Sequence, residues 1–287
     1  MKMNSTKTKQ DYAQRMDKVC EYIQRNSERH ISLDDLAQEA NFSKYHFHRI
    51  FTGMVGETVK SYLRRVRLEH AASKLCLTND PLLRIALEGG FESHAAFTRA
   101  FRKQFGQTPS SYRKNNSWKK REQRMTYWKN ISLEVALVER PAMNVACVRH
   151  VGHYRECGKA WEKLCSWAGP LGLLKPDMQR IGVCYSDPDI TPADKIMYDA
   201  CLEITQPVQG NDVVTIKTLE GGSYAQAIHC GPYDTVSETY SQLCGQWLPQ
   251  HGYRIASEPS FEVYLNDPGT TAPEDLRTEI HVPLASA

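Results

Sequence analysis

Between about residues 33 and 101 the apolar residues recur every three or four positions, the period of a helix with one buried face. Beyond about residue 130 they recur every second position, the period of a strand. Leu33, Leu36, Ala37 and Ala40 mark a short helix, with Ser32 placed to cap it and Asp35 to complete a capping box. Asn41 can take the left-handed conformation that ends such a helix. Ser43 is placed to cap a second helix that buries Phe47, Ile50 and Phe51. Residues 57 to about 77 read as one long helix. Tyr62, Leu63, Val66, Leu68, Ala71, Ala72 and Leu75 form its apolar stripe, and Arg64, Arg65 and Arg67 a basic side. Asp80-Pro81 opens another short helix, Gly89-Gly90 supplies a turn, and Ser93 caps a helix that buries Phe97 and Phe101. Helix, short turn, capped helix is a helix-turn-helix, and it occurs twice.

The two occurrences are copies. Leu36 to Phe42 lies over Ile85 to Phe91 at an offset of 49. After one inserted residue the offset is 50, setting Phe47 on Phe97, Arg49 on Arg99, Phe51 on Phe101 and Gly56 on Gly106. A basic, polar stretch over residues 113–129 reads as a linker. Past it, Ile131, Leu133, Val135 and Leu137 alternate as a strand does; Val145, Cys147, His150 and Val151 do so less regularly. Residues 154–168 and 233–250 interrupt this pattern as helices. This half repeats too, at an offset of 79. His150 to Tyr154 lies over His229 to Tyr233, Leu164-Cys165 over Leu243-Cys244, and Tyr185 over Tyr264. Each copy reads strand, strand, helix, strand, strand, so the expected fold is multidomain. An all-α domain with two helix-turn-helix units joined by a long helix precedes an α+β domain built from a duplicated unit, its helices against a mostly antiparallel sheet.

Charge separates the halves. Residues 1–124 carry 24 Lys and Arg against 13 Asp and Glu, a net of +11; residues 125–287 carry 12 against 20, a net of −8. A basic half joined to an acidic one suggests a polyanion-binding module fused to something else. With 41% hydrophobic and 24% charged residues the composition is that of a soluble globular chain, which excludes wholesale disorder. No apolar run is long enough to span a bilayer, so no membrane partner is expected. Nine scattered cysteines without a C-x-x-C spacing, after a polar start without a secretory core, fit reduced thiols in the cytoplasm.

Two groups of residues carry candidate chemistry. On the second helix of each copy, one face collects Lys44, Tyr45, His48, Arg49 and Thr52, and the matching face collects His94, Ala95, Thr98, Arg99 and Arg102. Arg can pair bidentately with guanine, His and Thr can bond base edges, and Ala can touch a thymine methyl. The long helix would span roughly 30 Å, close to the ~34 Å between successive major-groove faces. One chain, without dimerising, could then engage two groove segments. In the second half, Glu262 stands two residues before Tyr264, so both face one side of a strand. Its partner under the 79-residue offset is Val183. An acid where the duplicate carries valine is expected to form a single buried anionic site, with Trp161, Tyr185, Tyr224 and Tyr264 as candidate walls for a planar or cationic molecule. Phosphate-loop, zinc-protease and serine-hydrolase motifs are absent, and no cofactor, metal or catalytic residue is expected.

Residues 42–51 and 90–101, followed by Phe105-Gly106-Gln107-Thr108-Pro109 and Ser111-Tyr112-Arg113, resemble the signature of the AraC/XylS transcription factors over about residues 11–115. The resemblance implies a DNA-binding activator that works with RNA polymerase. Val151-Gly152-His153-Tyr154, Gly231-Pro232-Tyr233, Lys159-Ala160-Trp161 and Glu262 to Pro268 resemble the GyrI-like small-molecule-binding domain over about residues 127–284. That resemblance implies a lipophilic, often cationic effector, with Glu262 as the central acid and Trp161 as a wall. The order of the two parts is similar to that of Rob-type regulators. The expected organisation is thus a DNA-binding domain over 11–115, a linker over 116–126 and an effector domain over 127–284. The alternatives are a GyrI-like hydrolase fused to a DNA-binding module, and a second domain that binds a protein partner.

Overall fold

A computed structural model describes residues 5–116, 133–176, 178–256 and 258–285, with side chains from Asp11 onward and Tyr45 excepted. The chain divides into two compact units, Met1–Lys129 and Asn130–Ala287.

The first unit is helical. Helix α1 (Ser5–Asn26) was not anticipated in the pattern above, although Met16, Val19, Cys20 and Ile23 form a buried stripe at helical spacing. Helices α2 (Leu33–Glu39) and α3 (Lys44–Val55) form the first helix-turn-helix, α5 (Leu82–Glu88) and α6 (His94–Phe105) the second. The predicted caps form. Ser32 and Asp35 make the reciprocal capping box, and Ser43 and Ser93 accept from the third residue of their helices. Asn41, at φ 51°, and its duplicate Gly90, at φ 70°, both take the left-handed turn conformation. Gly90 has a second reason to lack a side chain: a Cβ there would lie 2.7 Å from the Arg67 guanidinium.

Helix α4 (Val59–Leu77) joins the two copies and buries Val59, Tyr62, Val66, Leu68, Ala71, Ala72 and Leu75. The basic side expected on it is mostly internal. Arg65 is clasped by Glu57 and Glu69, with its side chain only 12% exposed. Arg67 donates to the carbonyls of Ser27 and Arg29, fastening the end of α1 to α4. Arg64 alone of the three is exposed. Helix α7 (Pro109–Asn116) occupies the start of the expected linker. Tyr112 is buried there, and Arg113 donates to the Asp80 carbonyl at 2.6 Å, so residues 113–116 are tied to the helical unit. The rest of that linker, and Ile131, lie outside the described residues.

The second unit is one eight-stranded antiparallel sheet with helices on one face. Its strands are β1 (Val135–Arg140), β2 (Met143–Val151), β3 (Arg180–Cys184), β4 (Met197–Glu203), β5 (Thr215–Leu219), β6 (Gly222–Cys230), β7 (Ser260–Tyr264) and β8 (Arg277–Pro283). The order across the sheet is β1-β6-β8-β7-β3-β4-β2-β5. Exchanging β1 with β5, β2 with β6, β3 with β7 and β4 with β8 reverses that order onto itself. The duplicated halves are therefore related by a pseudo-two-fold axis between β3 and β7. Helix α8 (Gly158–Ala168) packs on one half through Ala160, Leu164 and Ala168, and α9 (Val236–Gln242) with the turn that follows it packs on the other through Val236 and Leu243.

The copies are not at one constant offset. Over β2 and β6 it is 79, but over β3 and β7, and over β4 and β8, it is 80: Ile181 faces Cys201 in the first half as Phe261 faces His281 in the second. Buried Leu164 matches Leu243, whereas buried Ala168 matches Leu248. The extra residue therefore falls in the π-helical turn Leu243–Trp247, which follows α9 and has no counterpart after α8. A π-turn absorbs one inserted residue without breaking the helix. The duplicate of Glu262 is consequently Gly182, not the expected Val183.

Candidate functional site

Each capped helix of the first unit buries two phenylalanines, Phe47 and Phe51 in α3 and Phe97 and Phe101 in α6, all fully buried. That anchoring turns the opposite face outward. On α3, Lys44, His48 and Arg49 are exposed and Thr52 is half-buried, its hydroxyl donating to the His48 carbonyl at 2.9 Å. Lys44 meets Asp34 at 2.8 Å in an exposed pair. Of Tyr45 only the backbone is described. On α6, His94, Ala95, Arg99 and Arg102 are exposed. Thr98 departs from the expected face, because its hydroxyl is buried and makes no hydrogen bond. Each helix thus presents exposed basic residues, Lys44, His48 and Arg49 on α3 and His94, Arg99 and Arg102 on α6, backed by a core of tilted and edge-on rings.

In the second unit, β7 alternates. Phe261 and Val263 face one core while Glu262 and Tyr264 face the helices. Glu262 is 8% exposed. A chain of donors ends on it. The Trp161 indole N–H donates to the Tyr198 hydroxyl at 3.0 Å, Tyr198 to Tyr264 at 3.0 Å, and Tyr264 to Glu262 Oε2 at 2.7 Å. An indole N–H can only donate, so each hydroxyl in the row must pass its proton side onward, and the row is polarised toward the carboxylate. The Cys184 thiol sits 3.6 Å from Oε1. Burial pushes the Glu262 pKa above the ordinary carboxylate value. Tyr264, Cys184 and the neighbouring Tyr240, whose buried hydroxyl makes no directed hydrogen bond, pull it back toward the charged form. The carboxylate is thus desolvated but not neutralised by any cation in its own hydrogen-bond set.

The register explains why there is room for this row. Gly182 lies directly opposite Glu262 across the β3–β7 pairing. A Cβ on Gly182 would lie 2.4 Å from the Tyr264 hydroxyl and 2.6 Å from the Tyr198 hydroxyl. Two rings stand around the row: Trp161, 5.8 Å from Tyr264 and edge-on, and Tyr233, 5.4 Å from Tyr264 and 40% exposed. Tyr154 packs edge-on against Tyr198 at 5.8 Å.

Of the residues expected around the acid, Tyr264 bonds to it and Trp161 joins the row that ends on it, whereas Tyr185 and Tyr224 do neither. Both of these lie on the opposite face of the sheet, against Val145, Ile181, Val183 and Phe261. There Tyr185 donates to the buried Asp199, which is also held by Arg149 and Lys217 and whose pKa falls far below the ordinary carboxylate range against the cost of burial. Tyr224 packs on Phe261 and His281. Strand parity separates them from the acid: Tyr185 is one residue past Cys184, whose side chain faces Glu262. Tyr198 and Cys184 were missed, and for Tyr198 the signal lies in pairing rather than spacing: the β3–β4 register sets it opposite Cys184, from where its hydroxyl reaches over Gly182.

Among the described residues no helix is long and apolar enough to cross a membrane.

Two family models match. One, a helix-turn-helix domain, covers residues 36–115; the other, the GyrI-like small molecule binding domain, covers residues 133–285. The first region is 46% identical over 88 residues to the transcriptional regulator Rob of Salmonella typhimurium, spanning 31% of this chain and 30% of that protein. This chain therefore matches less than a third of the length of that relative. The second region is 29% identical over 158 residues to YgiV of Escherichia coli, a probable transcriptional regulator, covering 54% of this chain and 99% of that one. A cryo-EM structure of an EcmrR–DNA complex shares the fold over 90% of this chain and 100% of its own, at 14% identity and a TM-score of 0.50. With an AraC-type helix-turn-helix region ahead of a sheet domain matched over more than half its length, the chain belongs to the GyrI-like small molecule binding domain family.

Proposed function

We propose that the chain is a DNA-binding transcription activator whose second unit senses a small lipophilic cation. The observation that carries the reading is the pairing of opposites in one chain. The basic half, residues 1–124 with a net of +11, presents Arg49 and Arg99 at matched positions on two helices, while the other unit holds a desolvated carboxylate, Glu262, among aromatic rings and without a cation in its own hydrogen-bond set. Helix α4, with 19 residues, is about 28 Å long, a length that suits two recognition helices in successive major-groove segments of one duplex. On this reading the protein acts on DNA as a monomer in the cytoplasm, with RNA polymerase as its partner. Lys44, His48, Arg49, Thr52, His94, Ala95, Arg99 and Arg102 face the duplex, with Tyr45 a further candidate on the same helix, and Glu262, Tyr264, Trp161, Tyr198 and Tyr233 face the effector. A buried carboxylate is costly without a counter-ion, so a cation that also stacks on the rings removes that cost on binding.

The test uses duplex sites selected from a random pool by the wild-type chain. Arg49→Ala and Arg99→Ala each weaken binding by about 1–3 kcal/mol and relax base preference over their own part of the footprint. Glu262→Gln lowers the affinity for N-methylquinolinium more than for neutral 1-methylnaphthalene and leaves binding to DNA intact. Unchanged DNA affinity in both arginine variants removes the recognition-helix reading, and equal losses for the two probes remove Glu262 as the charge partner.

A further inference from the structure

The pseudo-two-fold axis locates the mouth of the Glu262 site. When a residue contacts its own duplicate, the contact must straddle the axis. Among the described residues, two such contacts mark the axis on the helix side of the sheet. One is Glu262 opposite Gly182 in the β7–β3 pairing, at the floor. The other is Arg155 with Asp234, duplicates at the 79-residue offset. They form a bidentate bridge, Nε to Oδ1 at 3.2 Å and Nη2 to Oδ2 at 3.2 Å, with side chains 71% and 66% exposed. Arg155 sits in the short 3₁₀ turn Tyr154–Glu156 and Asp234 in its counterpart Tyr233–Thr235, each leading into its helix. The tyrosines that begin these turns are the two that flank the donor row: Tyr154 against Tyr198 and Tyr233 against Tyr264. The bridge therefore lies on the line that rises from Glu262 to solvent, tying the two halves together above the rings.

We propose that the Arg155–Asp234 bridge is a removable clasp over the Glu262 site and determines, by charge, which molecules reach it. The inference rests on the reading of Glu262 as the floor of an effector site. Its chemistry follows from exposure. An exposed ion pair is held by little net energy and weakens as salt rises, so it opens readily. Once open, Asp234 attracts a cation at the rim and Arg155 repels it. A lipophilic cation exchanges with Arg155 for Asp234 and then moves inward to Glu262, whereas a neutral molecule has no such exchange to make. The duplicate positions matter here: exchanging the two charges rebuilds the same bridge in the same place.

The clasp is tested on the full-length chain with a reporter that needs no ligand. Cys184 lies beside Glu262, beneath the bridge, while Cys230 is exposed. The rate of methyl methanethiosulfonate labelling at each cysteine is read by peptide mass spectrometry. Arg155→Ala and Asp234→Asn each speed labelling of Cys184 severalfold and leave Cys230 unchanged. Raising sodium chloride from about 0.05 M to about 0.5 M speeds Cys184 labelling in the wild type but not in either variant. The double exchange Arg155→Asp with Asp234→Arg restores the slow rate. With the two probes above, Arg155→Ala speeds association of N-methylquinolinium more than that of 1-methylnaphthalene, and Asp234→Asn does the reverse. Cys184 labelling that is unaffected by the single variants and by salt overturns the clasp. If labelling responds as expected but neither probe binds the wild type, the clasp stands and the cationic-effector reading fails. If labelling responds but both probes speed equally in both variants, the charge selection is overturned.

Discussion

The chain holds two duplications that are used in opposite ways. In the first unit the copies stand in tandem, separated by α4, and each keeps its own phenylalanine core and its own outward helix, so that one device is present twice. In the second unit the copies face each other across an axis, and each lends its first strand to the other: β1 pairs with β6, and β5 with β2. What they build is present once, on the axis, and it needs the copies to differ. Glu262 has a carboxylate where Gly182 has nothing, and the space left by Gly182 holds the Tyr198 and Tyr264 hydroxyls that Glu262 uses. Tandem repetition suits a linear, repeating partner such as a duplex. Repetition about an axis suits a single compact ligand, because symmetry concentrates the unlike residues at one point.

The largest expected effect probes whether the tandem copies are independent. Phe97 is fully buried between Phe91 and Phe101. Phe97→Ala destabilises the first unit by about 3–5 kcal/mol through lost burial and a residual cavity. Arg67 reaches from α4 both to the end of α1 and to the turn at Gly90, so the copies share their support, and the whole footprint is lost rather than half of it. Affinity for N-methylquinolinium is unchanged. Footprinting in which the protection around α3 survives while that around α6 disappears would show that the copies fold separately.

A smaller effect sharpens the contrast in the second unit. Gly182→Ala drives a methyl group into the two tyrosine hydroxyls, an overpacking that costs about 1–3 kcal/mol, and it disrupts the donor row, so cation affinity falls about tenfold or more. Val183→Ala, one residue on but on the other face, also costs stability, yet leaves that affinity in place. Calorimetry on both variants decides between the two registers. A loss of affinity confined to Val183→Ala would return Glu262 to the constant 79-residue offset.

The same contrast explains what the sequence made legible. Helix caps, turns and periodic burial act within a few residues, so the capping box at Ser32, the turns at Asn41 and Gly90 and, Thr98 apart, the outward sides of α3 and α6 could be read directly. Glu262 with Tyr264 was legible for the same reason, being two residues apart on one strand. Tyr198 was not, because it reaches Tyr264 from a strand 66 residues away in sequence. The wrong partner for Glu262 arose from one inserted residue: Tyr185 over Tyr264 is a match of identity, while the π-turn had already moved the register by one. That slip also placed Tyr185 with the acid, although strand parity sends it to Asp199. Charge was misread on α4 for a related reason, since composition counts Arg65 and Arg67 but not the carboxylates and carbonyls that hold them.

The smallest expected effect concerns the asymmetry on the axis itself, and it separates the empty site from the filled one by sign. Burial raises the folded-state pKa of Glu262 above its unfolded value, with Tyr264, Cys184 and the nearby Tyr240 hydroxyl opposing the rise. In the window between the two values the folded chain binds more protons than the unfolded one, so this group's contribution favours the fold at acid pH and is lost as pH rises through the folded pKa. Glu262→Gln removes that dependence. Its melting temperature therefore exceeds that of the wild type at pH 8, and the difference shrinks toward pH 4. Saturating N-methylquinolinium acts in the opposite direction, because the cation binds the ionised form: it stabilises the wild type more at pH 8 than at pH 5 and has a pH-independent effect on Glu262→Gln. Thermal melts of both proteins across that range, with and without the probe, measure the two trends together. A wild type whose response to the cation is flat with pH would mean that the proton and the ligand do not compete for this carboxylate, and the second duplication would then be as symmetric in function as the first.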